Sequence, residues 1–188
     1  MAKSRRLNKQ IVVGTAVSLA NEVGTWQTLT LTQLAKALDI RVPSLYNHVK
    51  GQDGLRRELS LYGVRELLTA VQHAAIGKVA QDALLATAHA YRRFAQSNPG
   101  IYELVLQAPD PDDHELQQLS QTFLELLSLL LGTFGLEGDD ALHAIRGLRS
   151  LLHGFVSLET SQGFKLDLDL DESFTQMIRA YLAGLSVG

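Results

Sequence analysis

Residues 30–50, TLTQLAKALDIRVPSLYNHVK, contain two short helical patterns joined by a turn. Apolar residues recur in the first pattern at the i, i+3, i+4 and i+7 positions of a helix, namely Leu31, Leu34, Ala35 and Leu38. Thr30 and Gln33 match a capping box at its start. Pro43 suits the first turn of the second helix, whose outer face is mostly polar. Two such helices are typical of a helix-turn-helix.

The segment LAKALDIRVPSLYNHVKGQDGL, residues 34–55, resembles the helix-turn-helix of the TetR family of transcriptional regulators. That family's pattern runs roughly LA-x-x-LG-V-x-x-P-S/T-LY-x-H-F/V-x-x-K, and the Leu-Ala, Pro-Ser-Leu-Tyr and His-Val elements stand in register. Asp39 replaces the usual glycine of the turn, where a positive φ is expected, and Asp tolerates that conformation better than most residues. Arg41 replaces a frequent Ser or Thr cap, so the second helix is predicted to have a weaker N-cap.

The resemblance implies that the helix from about Pro43 to Val49 enters the major groove of DNA. Positions that match family contacts to phosphates are Thr32, Ser44, Tyr46, His48 and Lys50. Positions that match residues able to reach bases are Gln33, Val42 and Asn47, and Arg41 and Pro43 complete the predicted DNA-binding set. Asn47 has the amide that can form paired hydrogen bonds with adenine.

The distribution of charge agrees with this reading, although the net charge is -3. Residues 1–65 contain 10 basic and 4 acidic side chains, a balance of +6, whereas residues 66–188 contain 7 and 16, a balance of −9. A basic N-terminal third is typical of a domain that docks on phosphates. For the basic tail that holds Lys3, Arg5 and Arg6, a DNA contact and a solvated tail both remain open.

Composition and motifs argue against other classes of protein. The chain is 46% hydrophobic, which favours a globular fold, and it has no run of 18 apolar residues that would span a membrane. Without cysteine it forms no disulfide or thiolate metal site, and we expect a soluble, cytoplasmic protein. It lacks a Walker loop, G-x-G-x-x-G, H-E-x-x-H and G-x-S-x-G, and no His follows a Glu by three residues. We therefore expect no enzyme activity, cofactor or metal; a helical enzyme or carrier and a plain interaction bundle are the alternatives.

Periodicity predicts an all-α fold, with an N-terminal three-helix head on a larger helical body, and the TetR resemblance implies that this body binds a ligand and forms a dimer. The predicted domains are a DNA-binding domain at 1–52, a linking helix at 53–77, and an effector-binding and dimerisation domain at 78–188. Further helices are predicted at 7–23, 82–97, 101–107, 114–131, 139–162 and 171–185. The acidic loop at 108–113 is read as a cap for the next helix rather than a cation site.

Small residues line one face of the predicted 139–162 helix, namely Ala144, Gly147, Ser150, Gly154, Ser157 and Ser161. Because glycine inside a helix costs up to about 1 kcal/mol, two on one face indicate close helix packing. The last helix can pack against this face within one chain, or both can pair with their copies across a two-fold axis. The TetR resemblance favours the second arrangement, and GLRSLLHGFVSLE also resembles a C-terminal variant marked by Trp-His-Gly, with Leu152 in place of the Trp. The predicted dimer-interface residues are Gly147, Ser150, Gly154, Ser157, Phe174, Ile178 and Tyr181.

The resemblance also implies a pocket for a small organic effector in the body. Such a pocket combines apolar walls with a few polar groups. Candidate lining residues are Tyr91, Phe94, Tyr102, Phe123, Arg146, Arg149 and His153. A role for each of them in the core or in an interface is the alternative. The predicted partners are therefore an operator in double-stranded DNA, a small organic effector and a second copy of the chain.

Overall fold

The computed structural model describes residues 7–185, and the ordered elements in that range are all helices. Their bounds are α1 Lys9–Val23, α2 Leu31–Ala37, α3 Val42–Leu45, α4 Gly51–Ala75, α5 Ala80–Ser97, α6 Tyr102–Leu106, α7 His114–Gly132, α8 Gly138–Thr160 and α9 Leu170–Leu185. The all-α prediction is confirmed. The basic tail with Lys3, Arg5 and Arg6 lies outside the described residues. Along the described range, none of the helices combines the length and apolar character needed to cross a membrane.

Local signals in the sequence explain where the first helices begin and end. The Asn8 side chain accepts a hydrogen bond from the Ile11 N–H and caps α1, which stops at Gly24 in the left-handed conformation (φ 84°). Thr30 and Gln33 form the predicted capping box of α2, with each side chain bonded to the other residue's backbone N–H. Each of these ends satisfies backbone groups that the helix itself leaves unpaired.

The chain divides into two compact units that are not continuous in sequence. The first unit runs to Arg65 and also contains Ser97–Leu116, and the second contains Glu66–Gln96 and the residues from Gln117 onward. The segment 97–116, assigned to the body from sequence, therefore packs with the helix-turn-helix. That segment holds five acidic residues and no Lys or Arg, so the balance of +6 for residues 1–65 becomes +1 for the whole first unit. The three-domain division at 52 and 77 stays a prediction.

The first unit is held together where the Asn98–Gly100 turn meets the end of α1. The Asn21 side chain accepts a hydrogen bond from the Gly100 N–H at 3.0 Å and donates to the Asn98 side chain at 3.3 Å. A Cβ atom on Gly100 would overlap the backbone carbon and oxygen of Ala20. Just beyond the turn, Ile101 and Leu104 are buried in the same core as the first three helices. A glycine is therefore required at position 100 by direct backbone contact.

An ion-pair network ties α4 to the start of α7 inside the first unit. The Arg57 guanidinium donates to both carboxylate oxygens of Asp113, at 2.5 and 2.8 Å, and also to Glu115 at 3.1 Å. Arg65 pairs with Glu115 as well, and Lys9 pairs with Glu58 at 2.6 Å. Asp113 also accepts the Leu116 N–H at 3.2 Å and so caps α7, as predicted for the acidic loop.

The second unit is centred on a buried arginine. Arg92 of α5 is 4% exposed and donates to both oxygens of Glu159, at 2.9 and 2.6 Å, and to Asp171 at 2.7 Å. Its guanidinium lies 5.2 Å from the Phe155 ring and 5.0 Å from the Phe174 ring. A buried charge persists only when paired and hydrogen-bonded, so this cluster fixes α5 against the end of α8 and the start of α9.

Tyr181 connects α9 to the small-residue face of α8. Its hydroxyl donates to the Ala144 carbonyl at 2.5 Å, and a Cβ on Gly147 would lie only 2.7 Å from that hydroxyl. Burial raises the pKa of Tyr181, which keeps the hydroxyl protonated as a donor. Gly147 is therefore small because of a neighbour in its own chain.

Candidate nucleic-acid interface

The helix-turn-helix divides its residues between an apolar inner side and an accessible outer side. Leu34, Ala35, Leu45 and Val49 are buried in the core of the first unit. None of the residues predicted to contact DNA is buried: Thr32, Gln33, Arg41, Pro43, Tyr46, Asn47 and Lys50 are exposed, and Val42, Ser44 and His48 are half-buried. This set contains no acidic side chain, so the outer side can approach phosphates without like-charge repulsion.

The second helix of the motif is shorter than the sequence predicts. Regular helix ends at Leu45, and Tyr46–His48 continue as a tight turn in which the His48 N–H bonds to the Leu45 carbonyl at 2.8 Å. Arg41 provides no side-chain cap, as its departure from the family pattern predicts, while Asp39 has the expected positive φ of 53°. The turn therefore keeps its geometry without glycine, and the next helix starts with a weak cap.

Gln33 has two competing assignments. Its side-chain oxygen accepts hydrogen bonds from the Thr30 N–H and hydroxyl, both at 2.8 Å. The sequence predicts both this capping box and a base contact for the same residue. Because the oxygen is already bonded, a base contact that keeps the box intact must come from the side-chain nitrogen.

Sequence reasoning missed Gln52, the second residue of α4. Its side-chain nitrogen donates to the Leu29 carbonyl at 2.6 Å, and the contact is partly buried. This bond ties the start of α4 to the residue before the Thr30 cap. The sequence offers only one hint of this bond, which is a polar residue directly after a glycine. In the structure that glycine, Gly51, has a positive φ of 71°.

The predicted dimer residues fall into two groups in the second unit. Ser150 and Ser157 are exposed on α8, and a Cβ on Gly154 would meet no atom within 4 Å in the part of the chain that the structure describes. By contrast, Phe174 and Ile178 are fully buried within the chain, so a second copy cannot contact them in this conformation. The i, i+4 spacing that suggested them identifies an apolar face of the helix. It does not show whether that face packs within the chain or against a second copy.

The predicted effector residues are not gathered in one place. Tyr91 and Phe94 are buried and Phe123 is half-buried in the second unit, whereas Tyr102 belongs to the first unit. The three polar candidates are exposed on α8, namely Arg146, Arg149 and His153. The structure adds one residue that the sequence did not suggest, because the Thr87 hydroxyl is buried with no hydrogen-bond partner within the described range. In a helix, a threonine hydroxyl can bond to a carbonyl one turn earlier, but the Thr87 hydroxyl does not do so.

No metal site is apparent in the region that the structure describes, since residues 7–185 hold no group of three or more His, Cys, Asp or Glu side chains suited to a metal ion. The acidic run before α9 serves as a cap instead, because the Asp169 side chain accepts the Asp171 and Glu172 N–H groups at 2.7 and 3.1 Å.

Comparison with known proteins places this geometry in a family. Residues 84–181, more than half of the chain, match the family described as "Tetracyclin repressor-like, C-terminal domain". The chain is 35% identical over 182 residues to the uncharacterized HTH-type transcriptional regulator YobS of Bacillus subtilis, covering 96% of this chain and 94% of that protein. It is 33% identical over 186 residues to the uncharacterized HTH-type transcriptional regulator Rv0681 of Mycobacterium tuberculosis, covering 98% and 84%.

A solved structure shows the same fold at lower sequence identity. A TetR variant from Acinetobacter baumannii AYE in complex with minocycline superposes with a TM-score of 0.70 at 22% identity, covering 95% of this chain and 96% of that one. The chain therefore belongs to the TetR family of transcriptional regulators. It is a DNA-binding regulator of transcription rather than an enzyme, so the class of protein and the fold class agree with the sequence prediction. The Trp-His-Gly likeness of its C-terminal half stays a prediction.

Proposed function

We propose that this regulator is a cytoplasmic, dimeric repressor that binds a palindromic operator and responds to a small organic effector. The observation that carries the proposal is the outer side of the helix-turn-helix, where ten candidate DNA contacts are accessible and none is acidic. In a dimer, two such surfaces about 34–36 Å apart meet successive major grooves, and the two-fold symmetry of the protein favours a palindrome.

Within this interface we assign different roles to Asn47 and Lys50, both of which are exposed. The Asn47 amide suits hydrogen bonds to a base edge, worth about 1–3 kcal/mol of discrimination. Lys50 suits a phosphate, so its loss weakens binding to all sequences alike and lowers the salt dependence by about one phosphate contact.

The experiment is fluorescence anisotropy with DNA from upstream of the protein's own coding region, compared with a scrambled duplex over a range of salt concentrations. Asn47→Ala is expected to reduce the preference for the specific duplex, and Lys50→Ala to weaken binding to both duplexes. Absence of specific binding by the wild type contradicts the operator proposal, and equal loss of preference in both variants contradicts the assigned roles.

The dimer proposal rests on the outward faces of α8 and α9. On α8, Ser150 and Ser157 are exposed and Gly154 has open space at its Cβ position. On α9, small residues are likewise exposed, namely Ala180, Ala183 and Gly184. Small side chains on both helices allow close approach of a second copy, and an isologous dimer uses the same surface twice.

Gly154→Leu tests this interface, because among the described residues a Cβ at this position meets no atom within 4 Å, whereas a close-packed partner would obstruct the larger side chain. We expect a dimer for the wild type and a folded monomer for the variant in light scattering at about micromolar concentration, where an affinity of about −8 kcal/mol is needed for assembly. A wild-type monomer, or a variant that dimerises as the wild type does, contradicts the proposal.

For effector binding we assign Thr87 as a hydrogen-bonding group. Its hydroxyl is buried with no partner among residues 7–185, on the same helix as the buried Tyr91 and Phe94. Leaving such a group unpaired costs about 1–3 kcal/mol, which a ligand with a donor or acceptor can recover. The solved relative that binds minocycline supports an organic ligand of this general kind.

A thermal-shift screen of small organic molecules on wild type and Thr87→Val tests the assignment. Valine has nearly the same shape, so the variant without ligand should be as stable as the wild type or more so. Compounds that stabilise the wild type should stabilise Thr87→Val less. An equal shift in both proteins for every active compound contradicts the role of Thr87.

A further inference from the structure

A hydrogen bond joins the two ends of the helix-turn-helix. The motif occupies residues 30–50, and the Gln52 side-chain nitrogen donates to the Leu29 carbonyl at 2.6 Å. Leu29 comes directly before the motif, and Gln52 lies in the first turn of the helix that follows it. Because the partners are 23 positions apart, the bond closes the whole motif into a loop. This bond is called the clamp.

On the Leu29 side, the clamp is attached to a well-packed part of the first unit. The Leu29 side chain is buried, and its N–H bonds to the Trp26 carbonyl at 3.0 Å. The next residue, Thr30, forms the capping box with Gln33 at the start of α2. The clamp is therefore held at a defined point beside the first helix of the motif.

On the other side, the clamp holds α4 next to the turn that contains predicted base and phosphate contacts. Regular helix ends at Leu45, and the His48 and Val49 N–H groups bond back to the Leu45 carbonyl at 2.8 and 2.9 Å. A Cβ on Gly54 in α4 would lie 3.0 Å from the Lys50 Cβ, so the Lys50 side chain starts against α4. Because the turn lacks the regular bonding of a longer helix, its position depends on where α4 begins.

The side chain at position 52 suits a bond inside the protein better than a contact with DNA. Lysine is usual at this position, which is the last of the family pattern, whereas glutamine has no charge to pair with a phosphate. The Gln52 nitrogen instead donates to Leu29 in a partly buried contact. Gln52 is therefore suited to hold the backbone in place, which differs from the role assigned to Lys50.

We propose that Gln52 is a positioning residue for sequence reading, which fixes Asn47 relative to α2 and touches no base or phosphate itself. The inference rests on the proposed function, since it concerns the same DNA interface. A base contact requires a donor or acceptor in the correct place, whereas phosphate contacts carry no sequence information. When the clamp is lost, a smaller fraction of the protein has the geometry that reads bases, and affinity for the specific duplex falls in proportion.

The first experiment measures binding of full-length Gln52→Met to the upstream and scrambled duplexes by anisotropy. Methionine has a similar length, no charge and a similar helix propensity, but it lacks the N–H donor. A hydrogen bond contributes up to about tenfold to an equilibrium constant, so the affinity ratio of the two duplexes should fall by about three- to tenfold. Affinity for the scrambled duplex and its salt dependence should not change.

The matched control is Gln10→Met, because Gln10 is also an exposed glutamine at the second position of a helix, in α1. The control should bind both duplexes as the wild type does. An unchanged ratio in Gln52→Met, or an equal loss of affinity for both duplexes, overturns the proposal. A purely structural role would lower the unfolding temperature but would not change the ratio for protein that is folded during the assay.

The second experiment determines whether Gln52 acts through Asn47. In a double-mutant cycle, Gln52→Met is combined with Asn47→Ala, and the affinity ratio of the duplexes is measured for every member of the cycle. Once the Asn47 amide is removed, its placement no longer matters, so Gln52→Met should then lower the ratio by less than about twofold. Effects that multiply in full show that Gln52 acts independently of Asn47 and overturn the proposal.

Hydrogen exchange of the free protein separates the clamp from the proposed operator. The His48 and Val49 amides should exchange at least about threefold faster in Gln52→Met than in Gln10→Met, because loss of the clamp favours local opening of the turn. Unchanged exchange overturns the clamp even if the upstream duplex is bound specifically. Faster exchange in Gln52→Met, together with a wild type that has no preference for the upstream duplex, contradicts only the operator proposal.

Discussion

The Asn98–Gly100 turn in the first unit and the outward face of α8 in the second each depend on a glycine, but for different reasons. At Gly100 the backbone of α1 occupies the space of a side chain, and at Gly147 the Tyr181 hydroxyl does so. At Gly154, among the described residues, a Cβ would meet no atom within 4 Å beyond its own turn of helix. The contacts of the described residues therefore explain the glycines at positions 100 and 147 but not the one at position 154, which costs helix stability as Gly14 does in α1.

Gly100→Ala should produce the largest loss of stability in the first unit. The new methyl group overlaps backbone atoms of Ala20, which cannot move as a side chain does, so we expect about 4 kcal/mol or more by urea unfolding. The matched control is Gly14→Ala in α1, where a Cβ would meet no atom of residues 7–185 within 4 Å beyond its own turn of helix, so alanine should stabilise the helix by about 0.5–1 kcal/mol. A mild effect at position 100 means that the contact between the turn and α1 is looser than described.

Glu159→Gln should give the next largest effect, in the second unit. It removes the carboxylate that accepts two hydrogen bonds from the buried Arg92, while Asp171 remains as a partner. Removing one member of a buried ion pair costs about 3–5 kcal/mol, and we expect the lower end. Glu172→Gln is the control, because that side chain is exposed and accepts a hydrogen bond from Gln176 one turn along the same helix. Equal unfolding midpoints for both variants contradict a structural role for the cluster.

Gly154→Ala should have two small effects of opposite sign: it should stabilise the α8 helix and weaken the dimer. Alanine should stabilise the α8 helix of the isolated chain by about 0.5–1 kcal/mol, because no neighbouring atom obstructs it. The same methyl group should weaken a close-packed dimer. Unfolding is therefore measured over a range of protein concentrations, so that the stability of the monomer and the affinity of the dimer are separated. A dimer affinity that rises in the variant contradicts the interface assigned to this face.

Acid should affect the two units over different pH ranges. Burial, with the nearby charges of Arg93 and Arg92, lowers the pKa of His89 in the second unit. Its stabilising contribution is complete above the unfolded value of about 6.5 and is lost as the pH falls toward the folded value, because the unfolded chain binds the proton first. The hydrogen bonds from Arg57 lower the pKa of Asp113 in the first unit, and its contribution declines only below about pH 4.

The loss of stability caused by protonation of His89 is the smallest of the expected effects, and it is measured by thermal unfolding between pH 7.5 and 5.5. His89→Gln should flatten the decrease in midpoint over that range, and Asp113→Asn should leave it unchanged. A slope that persists in His89→Gln assigns the proton uptake to another group.

The parts of the fold that depend on local chemistry can be predicted from the sequence. The Thr30–Gln33 capping box, the stop at Gly24 and the positive φ of Asp39 each follow from neighbouring residues. For the same reason, periodicity indicates which side of the helix-turn-helix faces outward. Asp39 replaces the glycine of the family pattern and still has the positive φ that the turn requires.

The rest depends on contacts between residues distant in sequence. Nothing near Asn21 or Gly100 in the sequence shows that they are neighbours, so the packing of segment 97–116 into the first unit cannot be predicted from local patterns. Apolar periodicity likewise identifies the inner face of α9, but it does not show that Phe174 and Ile178 are covered by their own chain. The lone Thr87 hydroxyl has no sequence signal, because only the surroundings reveal that it lacks a partner among the described residues.

The acidic segment 97–116 has a kinetic consequence for the search for an operator. Because it reduces the charge of the first unit to +1 and the whole chain has a net charge of -3, long-range attraction to DNA is expected to add little to the association rate. Ordinary diffusion is then expected to govern encounters with DNA. Removing the carboxylates at positions 110 and 112 should therefore raise the association rate at low salt more than it lowers the dissociation rate.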